Sequence, residues 1–528
     1  MRRVKSLLAP GSRYDRLMQH SGTYDVLIVG GGINGAGIAR DAAGRGLSVL
    51  LCEQDDLAAH TSSASTKLIH GGLRYLEHLQ LSLVRKALIE REILLGSAPH
   101  LMRPLRFVLP HDAHLRPAWV IGAGLFLYDH LARRQRLAGS ARIDLRRHVA
   151  GAALKPQYVR GFVYSDGWTD DARLVVLNAV DARERGAVIL TRTRCEKLEP
   201  ERGGWAATLA TRSGPLRVLA RSVVNATGPW VSRFAQQASP VGICHTVRLV
   251  KGSHIVVPRL YAHRFAYLFQ NDDHRIVFSV PYERDFTLIG TTDVEYSGDP
   301  GAVRIDSEEI AYLCAAVSRY FTKPVQPKDV VWSYSGVRPL LDDDAADPAS
   351  VTRDYALELD RHPGPLLTIF GGKITTYRKL AESAVDMLAR ELGSPAAPWT
   401  ARALLPGGDL PRGAYGGFLR SVQRAYPWLP AALRYRYAHA YGTRMEHILG
   451  GARSVADLGE ELLPQLYERE ADYLCRVEFA QTTQDILWRR TRLGLRVGTM
   501  GAARLEEWLT LRGSRPSHPE HRPATGTR

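Results

Sequence analysis

Residues 24–53 read YDVLIVGGGINGAGIARDAAGRGLSVLLCE. The run at 26–29 is aliphatic and β-branched, the pattern of a parallel strand buried on both faces. Gly30, Gly32 and Gly35 follow at G-x-G-x-x-G spacing. Helix formers with an apolar stripe then run to about Gly46, LSVLLC makes a second strand, and Glu53 closes the unit. Gly30 permits the tight turn, Gly32 lets backbone approach a pyrophosphate, and Gly35 lets helix pack on strand. The amides at the helix N-terminus face the phosphates, with Asn34 among the cofactor-binding candidates. Glu53 is placed to accept hydrogen bonds from a ribose hydroxyl pair. A lone glycine motif is weak, but strand, glycines, helix, strand and acid in this order predict a dinucleotide site.

Two later stretches repeat the strand-to-glycine step. SVVNATGPWVS at 222–232 turns at Gly228, and LLTIFGGKITTYRKLAE at 366–382 places Gly371 and Gly372 before an amphipathic helix, with Lys373 and Thr375 next. Exposed amides there suit a flavin ring or its ribityl chain. A fingerprint so near the chain start, with separated glycine elements converging on one cofactor, points to FAD. Between the first two units lies TSSASTKLIHGGLRY at 61–75. Taken alone it is a polar loop. Just downstream of the second nucleotide-binding strand, its groups fall where FAD needs partners: Thr61, Ser62, Ser63, Ser65, Lys67, His70 and Gly71. Arg74 and Tyr75 extend from it toward a substrate.

At 528 residues the chain is too long for one ordinary domain. Net charge is +16, which favours anionic partners: a phosphorylated substrate, an acidic membrane surface or a nucleic acid. No aromatic-interleaved basic platform or recognition motif supports nucleic acid, so none is expected. The five cysteines are scattered, with no CxxC pair and no metal-ligand spacing, so we expect no metal and a reducing compartment. Residues 1–22 lack the apolar core of a secretory signal and are read as a disordered extension. No stretch offers the ~20 apolar residues of a membrane span. The nearest, AWVIGAGLFLY at 118–128, has a basic flank and reads as a buried helix or a surface-seeking patch.

Taken together, GGGINGAGIARDAAGRGLSVLLCEQDDLA, TSSASTKLIHGGLRYLE, VVNATGPW, KGSHIVVPR, IGTTDVEY, YSGVRPL, TRDY and FGGKITTYRKLAE occur in that order. This series resembles the FAD-dependent, quinone-linked (aerobic) glycerol-3-phosphate dehydrogenases, from about Tyr24 to about Leu509. The resemblance implies an α/β fold: a Rossmann-like FAD-binding domain with an inserted, mostly antiparallel substrate-side sheet, plus a C-terminal helical domain. It implies oxidation of sn-glycerol 3-phosphate to dihydroxyacetone phosphate, with electrons passed to a membrane quinone. The implied location is cytoplasmic, peripheral on the cytoplasmic face of the inner membrane, and a homodimer is compatible with these expectations. A glycerol-3-phosphate oxidase, using oxygen as acceptor, is the nearest alternative.

The chemistry also constrains the residues. A substrate phosphate calls for arginine, whose planar fork matches its oxygens. Arg74, Arg338 and Arg353 are the candidates that the resemblance places in the substrate pocket, with Tyr75 beside them; Arg353 has the acidic run at 342–347 as a rival partner. Removing the alcohol proton calls for a base, and His254, Arg338, Lys373 and His70 remain open for that role. Asp293, within IGTTDVEY, is read as part of the pocket wall or as a structural turn. The expected organisation is a FAD-binding and substrate domain at 23–392, a linker at 393–417, a helical domain at 418–512 and a disordered tail at 513–528. WRRTRLGLR at 488–496 reads as a helix contact, with anionic lipid as the minor alternative.

Overall fold

The computed structural model describes residues 23–77, 79–112, 116–273, 275–341, 354–411 and 414–514. Expectations for residues 1–22, for Arg353 and for residues 515–528 lie outside the described residues.

Strand Tyr24–Val29 lies inside a sheet because its apolar side chains serve both faces: Val26, Leu27 and Ile28 are all fully buried. Val49–Cys52 and then Val188–Leu190 lie to one side; Gly214–Asn225 and Leu366–Gly371 lie to the other, all parallel. Tyr355–Asp360 adds an antiparallel edge, and a meander of Arg194–Glu201 and Gly204–Thr211 leads into Gly214–Asn225. The fingerprint helix, Ile33–Gly44, departs from the one-sided stripe expected of it. It is buried almost all round, because Asp171–Glu184 and Tyr377–Glu391 pack against it and Trp399 closes its end. A Cβ on Gly37 would lie 2.8 Å from the Tyr377 ring, and one on Gly44 would lie 2.1 Å from Trp399. Arg40, buried with the helix, is neutralised by Asp181 at 2.6 Å.

The second sheet is antiparallel except where Ala266–Gln270 meets Met102–His111. Its order runs Val294–Glu295, Val247–Pro258, Phe286–Gly290, Ile276–Tyr282, Ala266–Gln270, Met102–His111, Arg160–Thr169 and Leu68–Ile69. Trp332–Leu341 pairs with Val247–Pro258, which sets Val250 opposite Arg338, Gly252 opposite Gly336 and His254 opposite Tyr334. In an antiparallel ladder such pairs share a face, so Arg338, His254 and the two glycines point the same way.

The segment expected as a linker is pinned to the first unit. Trp399 Nε1 donates to Asp41 O at 3.1 Å, Arg40 donates to Leu404 O at 3.1 Å, and Leu405 is buried in the FAD-side core. Helix Tyr415–Ala425 already begins inside it. Beyond, an apolar cluster gathers Phe418, Tyr437, Leu449, Leu474 and Ile486 into a second core. Within this domain residues 467–496 do not form one continuous helix: Glu468–Val477 is followed by a π-helical turn at Asp485–Arg490 and then Leu493–Leu495. No helix among the described residues is long and apolar enough to cross a membrane.

Candidate active site

A cavity of about 530 Å³ opens at the C-terminal ends of the parallel strands, where ligands of open α/β sheets bind. Gly30, Gly32, Asn34, Glu53, Thr61, Ser62, Gly228, Gly371 and Gly372 line it. Gly30 has φ +114°, and a Cβ there would lie 2.5 Å from Ala226 O. A Cβ on Gly35 would lie 1.9 Å from Gly30 O, so the helix meets the strand only as glycine. Glu53 accepts from Gly31 N at 2.6 Å and from Asp55 N at 2.8 Å, one bond per oxygen, leaving lone pairs for further donors. Burial nonetheless raises its pKa, against the lowering effect of those backbone amides.

A second cavity, of about 290 Å³, meets the first at Ile33, Thr61, Ser62, Pro339 and Gly372, which line both. Arg74, Arg338 and Lys373 supply its cations. Arg338 pairs with Asp293 and donates to Thr291 Oγ1 at 2.9 Å. Lys373 Nζ lies 3.8 Å over the Tyr75 ring. The paired glycines clear the floor: a Cβ on Gly252 would lie 2.3 Å from Arg338 Nη2, and one on Gly336 would lie 2.7 Å from Ala64 Cβ.

His254 stands behind this wall, 1% exposed. Its ring stacks on Tyr334 at 4.8 Å, and its Nε2 shares a hydrogen bond with Thr66 Oγ1 at 2.9 Å. Thr66 lines the cavity and His254 does not. Burial first, then the charges of Arg338 and Lys67, push the imidazole pKa well below its usual value, so the ring is neutral. The next turn of chain is gripped from behind, for Asp171 accepts from both Ser65 Oγ at 2.7 Å and Lys67 Nζ at 2.9 Å.

The sequence matches the FAD dependent oxidoreductase family over residues 25–378 and the C-terminal domain of alpha-glycerophosphate oxidase over residues 399–514. The chain belongs to the FAD-dependent oxidoreductase family. A glycerol-3-phosphate dehydrogenase of Pseudomonas aeruginosa is 53% identical over 507 residues, covering 95% of this chain and 96% of that one. A D-erythritol 1-phosphate dehydrogenase of Brucella abortus is 49% identical, covering 92% of this chain and 98% of that one. The structure of the Bacillus halodurans glycerol-3-phosphate dehydrogenase complexed with FAD superposes with a TM-score of 0.75 at 29% identity, over 95% of this chain and 92% of that one. The chain is therefore a flavin enzyme, and FAD is its cofactor. The residues present fit it: a fingerprint turn where Gly30 and Gly35 leave no room for a Cβ, a carboxylate with spare lone pairs, and a long cavity abutting a cationic one.

Most of the residues expected from the sequence converge here. The first cavity gathers Gly30, Gly32, Asn34, Glu53, Thr61, Ser62, Gly228, Gly371 and Gly372; the second gathers Arg74, Tyr75, Ser65, His70, Arg338, Lys373 and Thr375. Lys67 is a correction: it faces neither cavity, because its fully buried ammonium is held by Asp171. Ser63 and Gly71 also line neither; Ser63 Oγ turns back to His60 O at 3.2 Å, and Gly71 N is taken by Tyr128 Oη at 2.8 Å. The basic stretch at 488–496, read first as a helix contact, turns inward: Arg490 and Arg492 are buried in ion pairs with Asp56 and Asp171. Sequence reasoning passed over His60, Trp230 and Arg233 on the first cavity, and Thr66 and Phe278 on the second, whereas Thr291 and Asp293, from the IGTTDVEY stretch read as pocket wall, do line the second. Of those passed over, only Thr66 carried a signal, as one hydroxyl among several in a stretch already expected to meet the cofactor.

Proposed function

We propose that the chain oxidises the C2 hydroxyl of sn-glycerol 3-phosphate to dihydroxyacetone phosphate and passes the electrons to a membrane quinone. The observation that carries this reading is the abutment of the FAD cavity on a small cavity holding Arg74, Arg338 and Lys373. A phosphomonoester seated on those cations leaves its short polyol end to reach the shared wall. The name of the Pseudomonas aeruginosa relative supports the three-carbon substrate; that of the Brucella abortus relative makes a four-carbon polyol phosphate the comparison to run.

FAD, when bound, supplies the acceptor for the hydride leaving C2. The protein's part is to hold the phosphate and to move the hydroxyl proton. Arg338, steadied by Asp293 and Thr291, offers its fork to the phosphate. Arg74 makes no ion pair among the described residues, so its charge is available to the same group. Lys373, over Tyr75, adds a third cation beside the cofactor wall. The hydroxyl proton passes to Thr66 Oγ1 as the Thr66 proton moves to His254 Nε2. A depressed pKa makes His254 a weak base, yet it keeps the ring unprotonated and ready. A weak base suffices, because loss of hydride turns the hydroxyl into a far stronger acid.

Membrane association draws on helix Ala118–His130, which leaves Trp119 70% and Phe126 64% exposed. Arg116, Arg133 and Arg136 are exposed beside it, so apolar and cationic groups share one surface, as an anionic leaflet requires. We place that leaflet on the cytoplasmic face. The decisive experiment is anaerobic addition of sn-glycerol 3-phosphate to the yellow holoenzyme, expected to bleach the flavin faster than D-erythritol 1-phosphate does. No bleaching rejects the substrate. Mixing the reduced enzyme with air or with a short-chain quinone then separates dehydrogenase from oxidase: rapid reoxidation by oxygen alone rejects the quinone.

A further inference from the structure

One carboxylate stands behind the proton path, and the C-terminal domain supplies part of its support. Thr66 is flanked by Ser65 and Lys67, and both neighbours are tied to Asp171. Ser65 Oγ donates to Asp171 Oδ2 at 2.7 Å, and Lys67 Nζ donates to both oxygens at 2.9 Å. Lys67 N closes a small loop by donating to Ser65 Oγ at 2.9 Å. The third cation-borne bond to Asp171 comes from far along the chain: Arg492 Nη2 donates to Asp171 Oδ1 at 2.8 Å and to Asp170 Oδ1 at 2.9 Å.

All four charged groups are out of water: Lys67 and Asp171 are fully buried, and Arg492 is 4% exposed, with Asp170 close behind. Two cations face two carboxylates, so the set is neutral as a whole and strongly charged in its parts. Removing one member strands a buried charge. Lys67 and Arg492 both hold left-handed backbone, at φ +62° and +60°, a conformation costly for residues with side chains. Arg492 is separated by one residue from the π-helical turn Asp485–Arg490, whose Arg490 grips Asp56 through paired bonds of 2.8 Å. Asp56 belongs to the chain just past Glu53. The chain after Glu53 and the Thr61–Lys67 loop are thus both held from the C-terminal domain, the first at Asp56 and the second through Asp171, at the start of helix Asp171–Glu184.

We propose that Arg492 is a positioning residue for the reaction, acting through Asp171 to fix Ser65 and Lys67 and thereby the Thr66 hydroxyl against His254. The inference rests on the substrate reading above. It also gives the C-terminal domain a part in the chemistry without any contact with substrate. Thr66 Oγ1 reaches two ways, to Nε2 of His254 and to the cavity, and such a hydroxyl works only if its backbone is held. The loop carrying it is a short 3-10 turn at Thr61–Ser63 followed by irregular chain, with no ladder hydrogen bonds until Leu68–Ile69. Tyr334 Oη donating to Ser65 O at 2.8 Å and Thr169 N donating to Lys67 O at 3.0 Å hold its carbonyls, and the bonds to Asp171 fix the side chains on either side of Thr66.

The test uses FAD-loaded full-length enzyme and the anaerobic rate of flavin bleaching by sn-glycerol 3-phosphate. R492M is expected to lower the limiting bleaching rate by about tenfold or more, the scale of an ångström-sized misplacement, while apparent substrate affinity changes by less than about threefold. R492K, which keeps the charge but not the planar fork, is expected to recover the rate to within about threefold. R436M removes a buried pair wholly inside the C-terminal domain, Arg436 with Glu470 at 2.6 Å. It is expected to lower the melting temperature yet bleach at the parent rate. Should R492M give no folded holoenzyme, R492Q, which keeps donors without charge, is read in its place with the same expectation. Parent-like bleaching in R492M or R492Q overturns the inference, and so does an R436M rate as slow as theirs. Failure of the parent enzyme to bleach rejects the substrate reading instead, so the two failures are told apart.

Discussion

Arg338 shows how one side chain serves both charge and pKa. It lies 24% exposed at the cavity, with Asp293 and Thr291 fixing the direction of its fork. A charge-assisted hydrogen bond contributes about 1.5–3 kcal/mol, so Arg338→Ala should raise the Michaelis constant by roughly ten- to a hundredfold. Steady-state kinetics with sn-glycerol 3-phosphate checks this, and an unchanged constant removes Arg338 from the phosphate site. The same guanidinium helps burial hold the His254 pKa well below the usual histidine range of about 6.5. Only the neutral imidazole accepts a proton. As pH falls, activity should therefore stay level through about 6.5, with the acid limb of kcat/KM appearing only at lower pH. In Arg338→Ala that limb should move upward, because one of the depressing charges is gone. A limb that stays in place would show that His254 does not carry it.

Among the elements, the pairing of Val247–Pro258 with Trp332–Leu341 does most to shape the substrate cavity. Its register brings Gly252 and Gly336 face to face, between the Val250–Arg338 and His254–Tyr334 pairs. Neither glycine is there for a left-handed turn; both are there because the loop carrying Ala64 and the Arg338 fork occupy the space of a side chain. Gly336→Ala should therefore push the Thr61–Thr66 loop away, at a cost of about 1–3 kcal/mol for an overpacked methyl. We expect roughly a tenfold loss in kcat/KM at nearly unchanged FAD occupancy, read by kinetics and by flavin absorbance. Parent activity would mean the loop yields freely. This element also marks the limit of sequence reasoning. The fingerprint at 30–35 was legible because its glycines recur at a fixed spacing within one strand-turn-helix unit, even though the atom that crowds Gly30 is Ala226 O, far along the chain. The roles of Gly252 and Gly336 depend on register between strands far apart in the chain, which no local pattern encodes. Lys67 misled for the same reason: a lysine amid hydroxyls suits a phosphate until Asp171, on a distant helix, is seen to hold it.

At the scale of the whole molecule, the two units are joined by buried polar contacts that the reading of 393–417 as a plain linker did not foresee. Arg173 pairs with Glu478, Arg490 with Asp56 and Arg492 with Asp171, each linking the FAD side to the C-terminal core. Ion pairs of this kind are silent in sequence, where an arginine-rich stretch looks like a solvated face. Histidines share the same junction. His439, of the C-terminal domain, lies 5.5 Å from the Trp168 ring, and His100 is buried nearby with neither ring nitrogen hydrogen-bonded among the described residues. Burial, then the charge of Arg103, push the His439 pKa down to about 4, and burial pushes that of His100 well below its usual value. A histidine whose pKa is lower folded than unfolded adds stability that is complete above about 6.5 and is lost as pH falls through the folded value. His439 keeps one edge toward solvent, so its own share is on the order of 1 kcal/mol. Thermal melts of the holoenzyme should therefore shift downward between pH 6.5 and about 4, with loss of flavin fluorescence quenching at the same midpoint if the junction opens first. His439→Gln, which does not titrate, should flatten part of that slope while leaving the melt at pH 8 within a few degrees of the parent. A slope equally steep in the variant would place the acid sensitivity elsewhere than in this histidine.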